Sequence, residues 1–401
     1  MKKSSLLLVF LLFTFLFSCS NSIQAPEGLE IVKIDLSEAR EGKLSEFFEP
    51  EIEYIWLKDD SEDAQLSGGL QKIFFHEGKI FAIDINHCQC VKFFDITGKY
   101  FAEINSYGEA PGQYSEFNDV TIVGEEVLLL GVYPPKLMWF SLDGEFLREE
   151  KLTKPIDSGV YVKENDRFYF FHDTRDSGDH FVLSVSRPFQ DTMKSLPFSK
   201  DRYYGNFSSI KLFQKSKESI YFGMSFNDTI YQLDKGLLNP KLVFDYGEYG
   251  QSIEELRKNG ENLNPLEELN FFVKKSKLSF VPNQRFITES QFYSGFRYQG
   301  EPFNVFFDRE KQITRVLKGR ISDDLDDGYN PNGILYQFDQ LKVGNQVPGK
   351  DLYEILEKKK QELGHEGFKE YTMAKSRNFA GTAFEAKDSE NPVLIIYTVK
   401  K

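Results

Sequence analysis

Two stretches of this chain repeat at a fixed distance, and that repeat restricts the fold more than any other feature. Val91-Lys-Phe-Phe-Asp-Ile-Thr-Gly98-Lys-Tyr-Phe101 aligns with Leu137-Met-Trp-Phe-Ser-Leu-Asp-Gly144-Glu-Phe-Leu147. Phe94 falls on Phe140, Gly98 on Gly144 and Phe101 on Leu147, 46 positions apart each time. Each copy reads as a strand, a glycine turn and a returning strand, which is a hairpin. Two apolar runs precede each hairpin, at 70–75 and 79–84 and again at 119–123 and 126–132. Four strands in about 46 residues is the period of a propeller blade.

Weaker copies follow. Residues 159–196, 209–244 and 278–317 each divide into four strands, the third of these units starting with strands at 278–281 and 285–290. The runs 334–338, 379–384 and 392–399 make a sixth unit without an outer strand. Residues 51–57, Glu-Ile-Glu-Tyr-Ile-Trp-Leu, form a strand with no unit of its own. Pairing it with the last unit closes a ring and leaves no bare sheet edge there. Helical spacing of Ile253, Leu256, Leu263, Leu266, Leu269, Phe272 and Val273 marks an insertion at 252–277, with a second helix starting at Asn264-Pro265. A second insertion, 340–378, carries an amphipathic helix that ends at Gly364. Without the insertions the body holds about 45 residues per unit, which supports six. The expected fold class is all-β: a six-bladed β-propeller of four-stranded antiparallel blades over 44–401, with two short helical insertions.

Composition agrees with a β-rich body. Thirty-nine Phe and 20 Tyr in 401 residues suit strands. Lys and Arg total 49 against 62 Asp and Glu, a net charge of −13, which argues against nucleic acid as a partner. Three Cys exclude a disulfide-dense scaffold.

The N-terminus is read as an address. Lys2 and Lys3 precede an apolar run from Leu6 to Phe17, which spans about 18 Å as a helix and is too short for a bilayer core of about 30 Å. Leu16-Phe17-Ser18-Cys19 resembles a bacterial lipobox, so residues 1–18 are expected to be a lipoprotein signal peptide and Cys19 the lipid-attachment residue. Residues 19–43 are then a tether. Ser20 in place of Asp favours the outer membrane, with the body facing the periplasm.

The segment Gly108-Glu-Ala-Pro-Gly-Gln-Tyr114 resembles the G-x-G-P-G-E-Y signature of a family of six-bladed β-propeller lipoproteins of Gram-negative bacteria, relatives of NHL-repeat propellers. Asp324-Leu-Asp-Asp-Gly328 resembles that family's N-D-I-D-G-G stretch, and residues 391–400 are similar to its closing strand. Ala110, Gln113 and Asp327 depart from the pattern. The resemblance implies the propeller and the lipid tether and leaves the ligand open.

If the blades are as read, connections from an outer strand to the next inner strand share one face with those between the two middle strands. Loops at 108–118, 323–332 and 252–277 fall there, and 340–378 falls on the opposite face. Loops on a rigid scaffold are where function concentrates. The candidate ligand-binding face therefore comprises Tyr107, Glu109, Tyr114, Asn118, Asp119, Asp324 and Asp326, where aromatic rings offer apolar area and carboxylates accept hydrogen bonds. Asp323, Asp324, Asp326 and Asp327 are hard oxygen donors of the kind Ca²⁺ takes, but Leu325 breaks EF-hand spacing and a solvated acidic turn is the plainer reading. His87, Cys88 and Cys90 make an incomplete soft-metal set. The loop with Asp173, Arg175, Asp176, Asp179 and His180 mixes acids and bases, as a mobile charged hairpin also would. No G-x-S-x-G, H-E-x-x-H or P-loop occurs.

The function expected is a non-catalytic envelope lipoprotein that binds a glycan, a peptide or an envelope protein, touches the membrane only through its lipid and needs no cofactor. The alternative is a propeller hydrolase or lyase of the Ca²⁺-dependent lactonase kind, working at the acidic channel mouth.

Overall fold

The computed structural model describes residues 28–66, 69–173, 180–186, 192–198, 211–234, 236–280, 284–374 and 376–401. Its strands form six sheets with a few helices. The described chain opens with β1 (Glu30–Lys33), β2 (Arg40–Lys43) and β3 (Phe48–Trp56). Sheet I holds β4 (Lys72–His76), β5 (Lys79–Asp84), β6 (Cys90–Asp95) and β7 (Tyr100–Ile104). Sheet II holds β8 (Glu116–Val123), β9 (Glu126–Tyr133), β10 (Lys136–Ser141) and β11 (Phe146–Lys151). Sheet III holds β12 (Ser158–Val162), β13 (Arg167–Asp173), β14 (His180–Ser186) and β15 (Thr192–Phe198). Sheet IV holds β16 (Phe213–Ser216), β17 (Ser219–Gly223), β18 (Thr229–Asp234) and β19 (Leu237–Asp245). After α1 (Ile253–Gly260) and α2 (Pro265–Lys274), sheet V holds β20 (Arg285–Ile287), β21 (Gln291–Tyr298), β22 (Glu301–Asp308) and β23 (Ile313–Ser322). Sheet VI holds β24 (Tyr336–Gln337), β25 (Lys342–Pro348) and β26 (Pro392–Val399), with α3 (Gly349–Met373) and α4 (Arg377–Glu385) between β25 and β26.

Within each sheet the strands are antiparallel and follow chain order. Middle strands such as Glu126–Tyr133 are buried on both faces and therefore read as continuous apolar runs. The outer strand β11, Phe146-Leu-Arg-Glu-Glu-Lys151, is exposed along most of its length, and its charges blunt a bare edge. The repeated glycines have one physical cause. Gly98 and Gly144 adopt φ of 79° and 83°. A Cβ there would lie 1.9 Å from the Trp56 carbonyl oxygen and 2.7 Å from that of Glu103, which belong to the outer strand of the preceding sheet in both cases.

The sheets close on one another. First strands of consecutive sheets lie side by side from β8 through β12, β16, β20 and β24 to β4. Lys72 on β4 reaches Asp119 on β8 at 2.8 Å and completes the circuit. Six apolar clusters fill the six junctions: Phe93 with Phe117 between I and II, Leu130 with Phe168 between II and III, Phe171 with Phe222 between III and IV. Phe244 with Phe292 joins IV to V, Phe306 with Tyr397 joins V to VI, and Ile396 with Ile80 joins VI back to I.

The N-terminal strands lace the outer edges of three consecutive sheets. β1 pairs in parallel with β19, β2 in parallel with β23, and β3 antiparallel with β26. Glu30 on β1 is buried, and its carboxylate receives Arg309 Nε and Nη2 at 2.8 Å each and Lys241 Nζ at 3.1 Å.

Five expectations are corrected. Residues 30–43 are not tether, because β1 and β2 lie within them. Residues 379–384 are helical in α4, whose Phe379, Ala380 and Ala383 pack into the junction of V and VI. In sheet V the strands start later than expected: residues 278–280 hold only an isolated bridge at Leu278, β20 is the first strand and β21 the second. The 340–378 insertion contains strand β25, and its helices join the two middle strands β25 and β26, which puts them on the same face as the acidic turn. Gly364, where the helix was expected to stop, is a break inside α3 with φ 67°. Among the described residues no helix is long and apolar enough to cross a membrane.

Candidate functional site

Antiparallel chain order brings the β7–β8, β19–β20, β23–β24, β5–β6, β9–β10 and β25–β26 connections to one face. At its centre, where the first strands begin, the ring is stitched shut. Asp119 is 1% exposed. Its Oδ1 receives Lys72 Nζ at 2.8 Å, and its Oδ2 receives Ser158 Oγ at 2.7 Å and the Gly159 N–H at 3.3 Å. Asn118 donates to the Ile156 carbonyl at 3.0 Å. Lys211 Nζ donates to the Leu335 carbonyl at 2.8 Å and lies 4.3 Å from the centre of the Tyr336 ring. Burial, then Lys72 and Arg285, push the Lys211 ammonium down to about 7. Arg285 donates Nη2 to the carbonyls of Lys211 and Leu212 at 2.7 and 3.1 Å. These groups hold sheets together across the axis.

The Gly108–Tyr114 segment is a tight turn. The Gly108 N–H donates to the Tyr114 carbonyl, and the Tyr114 N–H to the Ser106 carbonyl, both at 2.9 Å. Tyr114 is 1% exposed and donates its hydroxyl to the carbonyls of Gln89 at 2.8 Å and Ile104 at 3.1 Å. It is a core anchor and not a ligand contact. Tyr107 stands 76% exposed, and Glu109 is exposed beside it. Close by, Cys88 and Cys90 form a disulfide, and Asp84 Oδ1 accepts the His87 N–H at 2.9 Å.

The acidic turn does not converge on a point. Asp323 accepts N–H bonds from Leu325, Asp326 and Gly328 at 3.0, 3.1 and 2.8 Å. Asp324 accepts the Ser45 N–H at 3.0 Å and hydroxyl at 2.6 Å. Asp326 Oδ2 accepts the Tyr54 hydroxyl at 2.9 Å, and Asp327 pairs with Lys359 at 2.8 Å. Burial first, then Asp323, push the Asp326 carboxyl up to about 8. The turn clasps β3, the chain before it and α3. Among the described residues no three His, Cys, Asp or Glu are grouped to hold a metal ion. The 340–378 insertion, expected on the opposite face, thus touches this turn directly through Lys359. Of the 173–180 loop, Arg175, Asp176 and Asp179 lie outside the described residues, as does Cys19.

Sequence reasoning missed a concavity on this face. A cleft of about 640 Å³ opens where sheets IV and V meet, lined by residues of 226–231, 244–253 and 279–280. Phe280 stacks on Phe244 with centroids 4.9 Å apart, and Phe244 stacks on Tyr246 at 5.7 Å, so packed aromatic rings underlie the cleft, of which Tyr246 is half-buried and the two Phe are buried. Asp228, Asp245 and Gln251 stand around it. Asp228 Oδ1 accepts the Thr229 hydroxyl at 2.9 Å, and Asp245 Oδ1 accepts the Gly247 N–H at 3.1 Å. The Tyr246 hydroxyl is out of solvent with no hydrogen-bond partner among the described residues. Burial, then Asp228, push its phenol well above the usual range. Phe226 at the rim holds φ 61°, an unusual conformation for a bulky residue. Asp245-Tyr-Gly-Glu-Tyr-Gly250, aromatics and acids directly after a strand, was the signal available in sequence.

A family model described as a domain of unknown function, DUF4934, matches residues 29–398. The chain belongs to this family. No curated protein matches the DUF4934 chain. Among solved structures, it resembles a Bacteroides fragilis NCTC 9343 protein described as exported, with a TM-score of 0.70 and 14% identity over 93% of this chain and 100% of the other. That likeness establishes a shared fold. A DUF4221 member from Bacteroides vulgatus ATCC 8482 gives 0.43 and 9% identity over 88% of this chain and 97% of its own. The β-propeller domain of Myceliophteria thermophila Cps50 (Swd1) gives 0.34 and 11% identity over 64% and 89%. Those two are too distant in shape to bear on this DUF4934 chain.

Proposed function

We propose that the six sheets are the blades of a six-bladed β-propeller, and that the chain is an envelope lipoprotein whose propeller binds a ligand in the cleft between sheets IV and V. The observation that carries the site is the contrast in how polar groups are used. Carboxylates at the axis and in the acidic turn are consumed by bonds that hold the fold, whereas the cleft combines an aromatic floor with side chains that have capacity to spare. Such a concave, aromatic-lined pocket with a few polar groups is the usual form of a binding site. Among the acids of the channel-mouth face that the hydrolase or lyase alternative would draw on, Asp119 has both oxygens engaged by Lys72, Ser158 and Gly159.

Three features support export and tethering. Leu16 to Cys19 reads as a lipobox. The Cys88–Cys90 disulfide suits an oxidising compartment. β1 runs parallel to β19, whose C-terminal end lines the cleft, so the described chain approaches the sheet from the side away from the cleft, as a tether leading back to a membrane would.

The test is binding of a glycan and peptide panel to the purified body, followed by Asp228→Ala with Asp245→Ala, and Tyr107→Ala as a control on the same face. The acid pair is expected to abolish binding in a folded protein while Tyr107→Ala preserves it. The reverse outcome would move the site to the Gly108 turn.

A further inference from the structure

The cleft that we assign as the binding site also carries information about the charge of its ligand. Its fifteen lining residues include two carboxylates, Asp228 and Asp245, and no Lys, Arg or His. Each carboxylate accepts one neutral local donor through Oδ1, and neither forms an ion pair among the described residues. Of the nearby cations, Lys277 pairs with Glu255 at 3.8 Å, Arg285 lies over the Phe280 ring at 5.4 Å from its centre, and Lys33 stands opposite Asp245 in the β1–β19 register. The positive end of α1 reaches the rim at Ser252 and Ile253, but Glu254 and Glu255 fill its first turn. Beneath lies the half-buried Tyr246 ring, stacked on the buried Phe244, and an aromatic ring attracts a cation through its quadrupole.

We infer that the cleft takes a cationic organic group, a guanidinium or ammonium such as an arginine or lysine side chain of a peptide partner. A guanidinium can lie against the Tyr246 ring while its edge donates to Asp228 and Asp245. A neutral saccharide would use the same rings but would leave two carboxylates without a counter-charge. This inference rests on the cleft being the binding site, so its test separates the two failures.

The probes are acetylated tetra-arginine amide, its tetra-citrulline isostere, which keeps shape and loses charge, and chitotetraose as a neutral sugar. Binding is read by calorimetry on the whole body. The arginine peptide should bind, the citrulline peptide should bind about tenfold more weakly or worse, and Asp228→Asn with Asp245→Asn should weaken the arginine peptide by about tenfold. Tyr107→Ala should change nothing. If chitotetraose binds, loses affinity on Tyr246→Ala and ignores the Asn pair, the cleft stands as the site and the cationic ligand is overturned. If arginine binding falls with salt yet ignores every cleft substitution, it reflects the net charge of −13, and both readings fail. Absence of arginine-peptide binding likewise overturns the inference.

Discussion

Removing the Glu30 carboxylate tests whether the N-terminal lacing holds the ring. Glu30 and Arg309 side chains are 11% and 9% exposed and meet in a bidentate pair across the junction of sheets IV and V. Arg309 also donates Nη1 to the Thr288 carbonyl at 2.5 Å, and its Nη2 lies 3.4 Å from the Tyr221 hydroxyl, so the guanidinium cannot swing out to water without breaking those bonds too. In Glu30→Ala, Arg309 Nε loses its acceptor inside the protein. Breaking one side of a buried pair costs about 3–5 kcal/mol, because the surviving charge is left desolvated. Lys241, 26% exposed, can rehydrate and adds little. With an unfolding entropy of roughly 2.1 cal/mol/K per residue, that is about 4–6 °C in Tm for a body of this size. Differential scanning calorimetry measures the loss, and hydrogen exchange at Ile31 to Lys33 reports whether β1 has left β19. Glu30→Met with Arg309→Met, which removes both charges, should recover most of the stability. A Glu30→Ala protein within about 1 kcal/mol of wild type, with β1 still protected, would refute the reasoning.

Asp326 should make stability fall as pH rises. Its folded carboxyl is raised from 3.8 to about 8, so between those values the folded state keeps a proton that the unfolded chain has released. Stability then declines by at most about 1.4 kcal/mol per pH unit across that window and levels off above it. Asp326→Asn should flatten urea midpoints measured from pH 5 to 9, and superimposable profiles would contradict the assignment. Cys19→Ala should release the protein from the membrane fraction or leave it unprocessed. A wild-type mature N-terminus elsewhere than residue 19 would exclude the tether.

The repeat was legible because its causes are local. Phe94 and Phe140 point inward from equivalent hairpins, and Gly98 and Gly144 must take positive φ against the neighbouring sheet, so residue type and spacing recur together. Alternation and turn glycines likewise located most strands of sheets I to IV. Short segments were ambiguous: Phe379 to Phe384 has apolar residues that suit a strand or a helix, and only docking against Tyr54 and the V–VI core selects the helix. Arg-Glu-Gly-Lys of β2 has no strand signal at all, and its conformation comes from the free edge of β23. At the candidate site the dependence on tertiary structure is greater still. Asp119 looked like a free carboxylate until Lys72, 47 positions earlier, reached it. The cleft draws on three segments that nothing local links. The amino-acid sequence by itself determined the repeat and most strands of sheets I to IV, because strand pairing between neighbours depends on side-chain alternation and turn chemistry within a few residues. Which polar groups are spent on the fold, and which stay available to a ligand, was decided only when ring closure brought distant partners within hydrogen-bonding reach.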